Sequence, residues 1–171
     1  MRPEYDVVII GAGPIGGYLA RKLNEWGHSV LLIEEHNEIG RPFQCAGLIN
    51  PLAMKKVELG ETVQTSIWGA NIHSPNGTVV RVGVPHVDRT YSVCRKLFDE
   101  AVVRQSIASG SEIMLSTKPI SATIGEEYCI VEVDGPSGIS DIKCKLICGA
   151  DGAHSWVRRQ FRMGKPTETI I

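Results

Sequence analysis

Gly11, Gly13 and Gly16 stand in the spacing G-x-G-x-x-G, and Glu34 follows 23 residues beyond the first of them. These glycines act through the side chain they lack. Gly11 makes a tight turn, Gly13 lets backbone approach a pyrophosphate with no Cβ in the way, and Gly16 lets a helix pack closely on a sheet. An acid placed as Glu34 is accepts hydrogen bonds from both ribose hydroxyls and repels a 2′-phosphate. The set predicts an adenine dinucleotide site, against the plainer reading of a strand, turn and helix with no ligand. Glu35 reads as a solvated neighbour rather than a second ligand.

The elements needed to position these residues are legible around them. Residues 7–10 are a continuous apolar run, as expected of a strand buried on both faces of a parallel sheet. Ile15, Leu19, Leu23 and Trp26 fall at steps of four, four and three and are predicted to line one face of a helix. That helix would stop at Gly27 and present a partly positive N-terminus to a diphosphate. Residues 29–33 form the second strand, which ends at Glu34.

Composition sets outer bounds. A chain of 171 residues that is 43% hydrophobic can bury about 70% of its unfolded surface in one core. With 18 basic and 19 acidic residues the net charge is −1, which gives no electrostatic case for a nucleic-acid partner. No apolar run approaches the roughly 20 residues needed to cross a bilayer. The first residues run directly into a strand without a basic leader, which points to the cytoplasm. Five cysteines without paired spacing do not read as a disulfide framework. Cys144 and Cys148 are expected to share one strand face with Ile142 and Leu146 as small buried hydrophobes, and no metal site is expected.

After Glu35 a loop punctuated by glycine and proline runs from Ile39 to Pro51, then a weak helix spans about 52–59. Residues 67–74 and 78–84 bracket Pro75-Asn76-Gly77, a hairpin signal. A helix follows from Arg95, with Leu97, Ala101, Val102 and Ile107 inward and a stop near Gly110. Three strands then come at 113–116 with an extension to 123, at 128–133 and at 142–148. The turn 135–138 makes the last two part of a meander. The final strand delivers residues 149–155 onto a helix holding Val157 and Arg158, and the tail 162–171 has no strong pattern.

These landmarks, in this order, resemble the flavoprotein superfamily that includes aromatic hydroxylases and geranylgeranyl reductases. Three groups of residues carry the resemblance. One is the glycine loop with Glu34. Another is Arg95 in the pattern R-x-x-F-D, where the family sets an arginine against FAD. The most specific is Ala150-Asp151-Gly152-Ala153-His154-Ser155-x-Val157-Arg158, similar to the motif whose Asp-Gly turn lies near the cofactor diphosphate. Asp151 or Ser155 as plain helix caps is the alternative there. The segment Gly40-Arg-Pro-Phe-Gln-Cys-Ala-Gly-Leu48 resembles the geranylgeranyl reductase branch, in whose archaeal members it passes along the flavin.

The resemblance implies an α/β, Rossmann-like FAD/NAD(P)-binding domain of aromatic-hydroxylase type with a β-meander insertion. It implies FAD contacts at Gly11, Gly13, Ile15, Gly16, Glu34, Cys45, Ala46, Leu48, Arg95, Asp151 and Gly152. Complete members are more than twice as long, so residues 1–171 would be an incomplete FAD-binding domain, with a substrate domain beyond 171. The implied reaction is reduction of C=C bonds in the geranylgeranyl chains of membrane lipids, with NAD(P)H or reduced ferredoxin as electron donor and an isoprenoid lipid as substrate. Peripheral membrane contact follows from that substrate alone. Cys45 has two readings, a spacer thiol beside the ring or a chemically active group with Arg41 as its source of positive potential. No other residue is assigned to catalysis, although His86, Asp88 and His154 are polar candidates. A flavin monooxygenase or halogenase of the same fold, and a non-catalytic FAD-binding module, are the rival readings.

Overall fold

The computed structural model describes residues 2–42 and 45–164. Phe43 and Gln44 of the Cys45 segment, and the tail from residue 165, lie outside the described residues. In chain order the elements begin with β1 (Tyr5–Ile10), α1 (Pro14–Glu25) and β2 (Val30–Ile33). Next come β3 (Leu48–Ile49), α2 (Pro51–Val57), β4 (Val63–Ile67), β5 (Gly69–His73), β6 (Val79–Gly83), β7 (Thr90–Val93) and α3 (Arg95–Ala108). The chain closes with β8 (Glu112–Met114), β9 (Lys118–Ile124), β10 (Cys129–Gly135), β11 (Gly138–Gly149) and α4 (Trp156–Gln160). The chain divides into two compact units, Met1–Ile39 with Val103–Ile171, and Gly40–Val102.

The first unit is built on a six-stranded sheet in the order β8-β2-β1-β11-β10-β9. Strands β8, β2, β1 and β11 run parallel, and β9, β10 and β11 form the antiparallel meander. The parallel centre explains the apolar runs, because strands covered on both faces carry hydrophobic residues at every position. All four residues of β2 are buried. In β1, alternation splits the side chains between two clusters. Val8 and Ile10 join Leu31, Ile33, Val131 and Cys144. Val7 and Ile9 join Val30, Leu32, Ala12 and Ala20. Burial of each such Val or Ile stabilises the fold by about 1.5–3 kcal/mol relative to leaving it in water.

Several expected faces are rearranged. On α1, Ile15 and Trp26 are 72% and 71% exposed, and the buried residues are Gly16, Gly17 and Ala20. The helix presents its smallest residues to the sheet because the backbones approach closely, so its bulky ends turn outward while Leu19 and Leu23 pack partly on the core. On α3, Leu97 and Ile107 point to solvent, and Phe98, Asp99, Val102, Val103 and Ser106 are buried. The run 113–123 is two strands at opposite edges of the sheet. Ser116 takes a left-handed φ of 49°, and the N–H groups of Ser116 and Thr117 donate to the carbonyls of His36 and Glu34, so the chain bends there. Cys144 and Cys148 join different clusters, and Leu146 is 54% exposed, since β10 pairs with β11 only as far as Cys144 while Leu146 and Cys148 lie beyond it and pair with β1 alone. Burial pushes the Cys144 thiol up to about 12 and raises that of Cys148, as suits packed thiols.

In the second unit β3, β7 and β4 form a three-stranded antiparallel sheet. Strands β5 and β6 form the expected hairpin, with the Ser74 N–H donating to Thr78 O and the Gly77 N–H to Ser74 O. The weak helix is α2, capped by the Asn50 carboxamide oxygen, which accepts the Leu52 N–H at 2.7 Å.

The start of β1 is clipped to its neighbours by Asp6. Its Oδ1 accepts the Lys145 ammonium at 2.7 Å, and its Oδ2 accepts the N–H and the hydroxyl of Ser29 at 2.8 Å each. The Lys145 bond, then the Ser29 bonds, hold this carboxyl well below the usual carboxylate range. The folded state therefore gains stability above the ordinary carboxylate value of 3.8 and loses it as pH falls below that value. Asp6→Asn is expected to cost about 1–2 kcal/mol at neutral pH, less at high salt because Lys145 is exposed. Thermal melts of both proteins at decreasing pH check this: the gap in Tm closes as the wild-type carboxylate becomes protonated.

Candidate functional site

At the carboxyl ends of β1 and β11 three pieces of backbone meet without side chains between them. Gly11 has φ +99°, and a Cβ built on it would lie 2.5 Å from the Ala150 carbonyl oxygen. A Cβ on Gly16 would lie 2.0 Å from the Gly11 carbonyl oxygen. The Ala150 N–H donates to Ile10 O at 2.7 Å, and the Gly11 N–H to Ile33 O at 2.8 Å. Both glycines are required by packing alone. Gly13 differs, because nothing stands within 4 Å of its added Cβ. It is the N-cap of α1, which begins at Pro14 and has no side-chain cap. The start of α1 therefore has no side-chain cap and opens beside a residue with no Cβ.

Glu34 leaves the end of β2 with its side chain only 13% exposed. Its Oε2 accepts the Ala12 N–H at 2.9 Å, which ties the carboxylate to the glycine loop. Its Oε1 accepts the His36 N–H at 3.0 Å and lies 2.6 Å from His36 Nδ1. His36 is a neighbour that spacing did not reveal; its only signal is a histidine two residues past the acid in a tight bend. Glu35 is half exposed and lies 3.7 Å from Lys118, as a solvated charge.

The Asp-Gly motif lies in the same unit. Asp151 Oδ2 accepts the Val157 N–H at 3.0 Å, and Ser155 Oγ accepts the Arg158 N–H at 3.0 Å. Both are helix caps for α4, so the capping alternative holds for these two contacts. Asp151 keeps its second oxygen, and Gly152, at φ +73°, has nothing within 4 Å of an added Cβ.

The second unit holds the other candidates. Gly40 and Gly47 flank the Cys45 segment, and both press on the start of α3. A Cβ on Gly40 would lie 2.7 Å from Lys96 Cα, and one on Gly47 2.2 Å from Val93 O. The Val93 N–H donates to Gly47 O at 2.9 Å. Between these anchors Cys45 and Ala46 are exposed, and Leu48 beyond them is 54% exposed. Arg95 grips Asp99 with two bonds, Nε to Oδ1 at 2.9 Å and Nη2 to Oδ2 at 2.8 Å. The Gly47 N–H, and less strongly the Arg95 guanidinium, draw the Cys45 thiol below its ordinary value against desolvation and the Asp99 charge. A cation that acts on this thiol is thus Arg95, where the sequence had suggested Arg41. Among the described residues no group of histidine, cysteine or acidic side chains has the geometry to hold a metal ion.

Comparison with known proteins accords with this geometry. Residues 4–170 match the family described as FAD binding domain. A digeranylgeranylglycerophospholipid reductase from Methanosarcina acetivorans is 34% identical over 168 residues, covering 93% of this chain and 40% of the relative. The chain thus spans about 40% of the length of the curated relatives it matches. A geranylgeranyl bacteriochlorophyll reductase-like protein from Thermoplasma acidophilum superposes with a TM-score of 0.80 at 21% identity, covering 87% of this chain and 39% of that one. The p-nitrophenol 4-monooxygenase of Pseudomonas putida gives 0.79 at 20% identity, over 94% and 44% of the two chains. The two superpositions establish a shared fold.

The glycines separate by experiment. Gly16→Ala overpacks backbone and is expected to cost about 1–3 kcal/mol, lowering Tm by roughly 2–12 °C. Gly13→Ala meets open space and is expected to lie within about 1 kcal/mol of wild type, the N-cap preference alone. Circular dichroism melts of the two variants check the order; equal losses would mean that Gly13 is packed too.

Proposed function

Because the chain belongs to the FAD binding domain family, we propose that it is the cofactor-holding part of a flavoenzyme that reduces C=C bonds in the geranylgeranyl chains of membrane lipids. The observation that carries this reading is the reductase relative aligned along 93% of the chain. The residues present fit FAD, given the uncapped start of α1, the open space over Gly13 and the anchored carboxylate of Glu34.

In this reading Gly11, Gly13, Gly16 and the first N–H groups of α1 hold the diphosphate, with Asp151 and Gly152 beside it, and Glu34 accepts the ribose hydroxyls. Ile15 in the first unit is exposed and serves as a flavin contact, as do the exposed Cys45, Ala46 and Leu48 in the second, where Arg95 is the cofactor-binding cation. Bound FAD supplies two-electron reducing power, and the protein orients it and excludes water. Cys45 is first a flavin contact, and its Arg95-assisted thiol makes it the side chain to test for a chemical role. Reducing equivalents come from NAD(P)H or reduced ferredoxin. The substrate domain is the part of the whole protein that corresponds to the remaining length of the relatives, and it meets the isoprenoid lipid at the membrane surface. Among the described residues no helix is long and apolar enough to cross a membrane.

Titration of flavin-stripped protein with FAD, followed by flavin fluorescence, tests the cofactor site. One FAD per chain is expected, with no comparable response to NAD. Glu34→Gln is expected to weaken FAD by about tenfold, the loss of a charge-assisted hydrogen bond. Folded protein that ignores FAD would overturn the assignment. The reaction is tested with the whole protein, reduced anaerobically and mixed with a digeranylgeranyl phospholipid. Mass spectrometry should show one added H2 per double bond; oxygen consumption with an aromatic substrate and no lipid reduction would favour a monooxygenase.

A further inference from the structure

A cation at the first position of a helix opposes the helix dipole, and α3 opens on Arg95 with no acidic residue in its first turn. Helix stability does not account for Arg95 there. One turn later Asp99, only 6% exposed, spends both carboxylate oxygens on the guanidinium. The side chains of the pair are 19% and 8% exposed. A buried bidentate pair holds a planar guanidinium in one orientation far better than a single contact does. The segment carrying Cys45 is pinned to the same helix start at both ends, through Gly40 on Lys96 and Gly47 on Val93. The stem of Arg95 packs by Gly47, two residues from Cys45, where an added Cβ would lie 3.7 Å from Arg95 Cγ, and the guanidinium helps to draw the Cys45 thiol down.

We propose that Asp99 is a positioning residue: it clamps Arg95 so that the guanidinium stays against the Cys45 segment, and through Arg95 it sets the reactivity of the Cys45 thiol. The role of that thiol beside a flavin rests on the function proposed above; the clamp itself does not.

The clamp makes a prediction opposite in sign to simple electrostatics. The groups acting on the thiol are the Gly47 N–H, Arg95 and Asp99. As a mere nearby anion Asp99 disfavours the thiolate, and its removal would speed alkylation of Cys45. As a clamp its removal frees Arg95, and alkylation slows. The test is the rate of iodoacetamide labelling of Cys45 across pH in the full 171-residue chain, read at the Cys45 peptide by mass spectrometry because four other cysteines are present. In Asp99→Asn without FAD, labelling at pH 7 is expected to fall by about threefold to tenfold, with the pH midpoint moved upward. A rate equal to or above wild type overturns the proposal. Asp99→Glu keeps the charge and displaces it by one methylene, so it reports even where the asparagine variant does not fold. An intermediate rate is expected, and a rate at or above wild type again overturns the clamp. Added FAD is a separate arm on wild-type protein: protection of Cys45 supports the cofactor reading, and its absence counts against that reading while leaving the clamp to be judged by the variants.

Discussion

The first unit depends on a close approach of bare backbone. Gly16 lies against the Gly11 carbonyl, and Gly11 lies against Ala150, at separations that no Cβ tolerates. This contact sets the angle at which α1 leaves the sheet and holds the Asp-Gly turn beside the glycine loop. It also explains the inverted look of α1. A helix that must approach so closely buries Gly16, Gly17 and Ala20 and leaves Ile15 and Trp26 in solvent. A buried stripe of large residues would have pushed the helix outward and opened the turn.

Around that contact the polar groups are committed unevenly. Asp6 and Ser29 satisfy one another at the entry to β1 and β2, and Asp151 and Ser155 are occupied by α4. The start of α1 has no side-chain cap. Native helices leave terminal N–H groups without side-chain caps chiefly where water or a ligand serves them. In the second unit the pairing runs through charge, and Asp99 and Arg95 satisfy each other.

Much of this was legible because local rules suffice for it. The glycine spacing, the apolar run of β1, the acid after β2, the hairpin at Pro75-Asn76-Gly77 and the meander all follow from patterns a few residues wide. The failures share a cause as well. Periodicity assigned Leu97, Ile107 and Trp26 inward because they are large and apolar, yet the buried face of each helix is chosen by what it packs against. The run 113–123 looked continuous because nothing in its composition marks the left-handed turn at Ser116. Cys144 and Cys148 were separated because β10 flanks β11 only as far as Cys144, a pairing remote in sequence.

The sequence by itself determined the kinds of residue available: glycines where backbone must approach, an acid at the end of the second strand, an arginine opening a helix, and a motif specific enough to mark a family of flavoproteins. Those are properties of neighbours along the chain, and they survive any fold. Only the tertiary structure decided that β11 lies parallel to β1, with Ile10 opposite Gly149, which brings a turn far along the chain onto Gly11. Only it decided that Glu34 binds the Ala12 N–H, that Asp151 caps α4, and that Arg95 grips Asp99. The physical reason is the same in each case. A hydrogen bond or an ion pair depends on ångström distances between groups remote in sequence, and those distances exist only after the sheet has chosen its order and register.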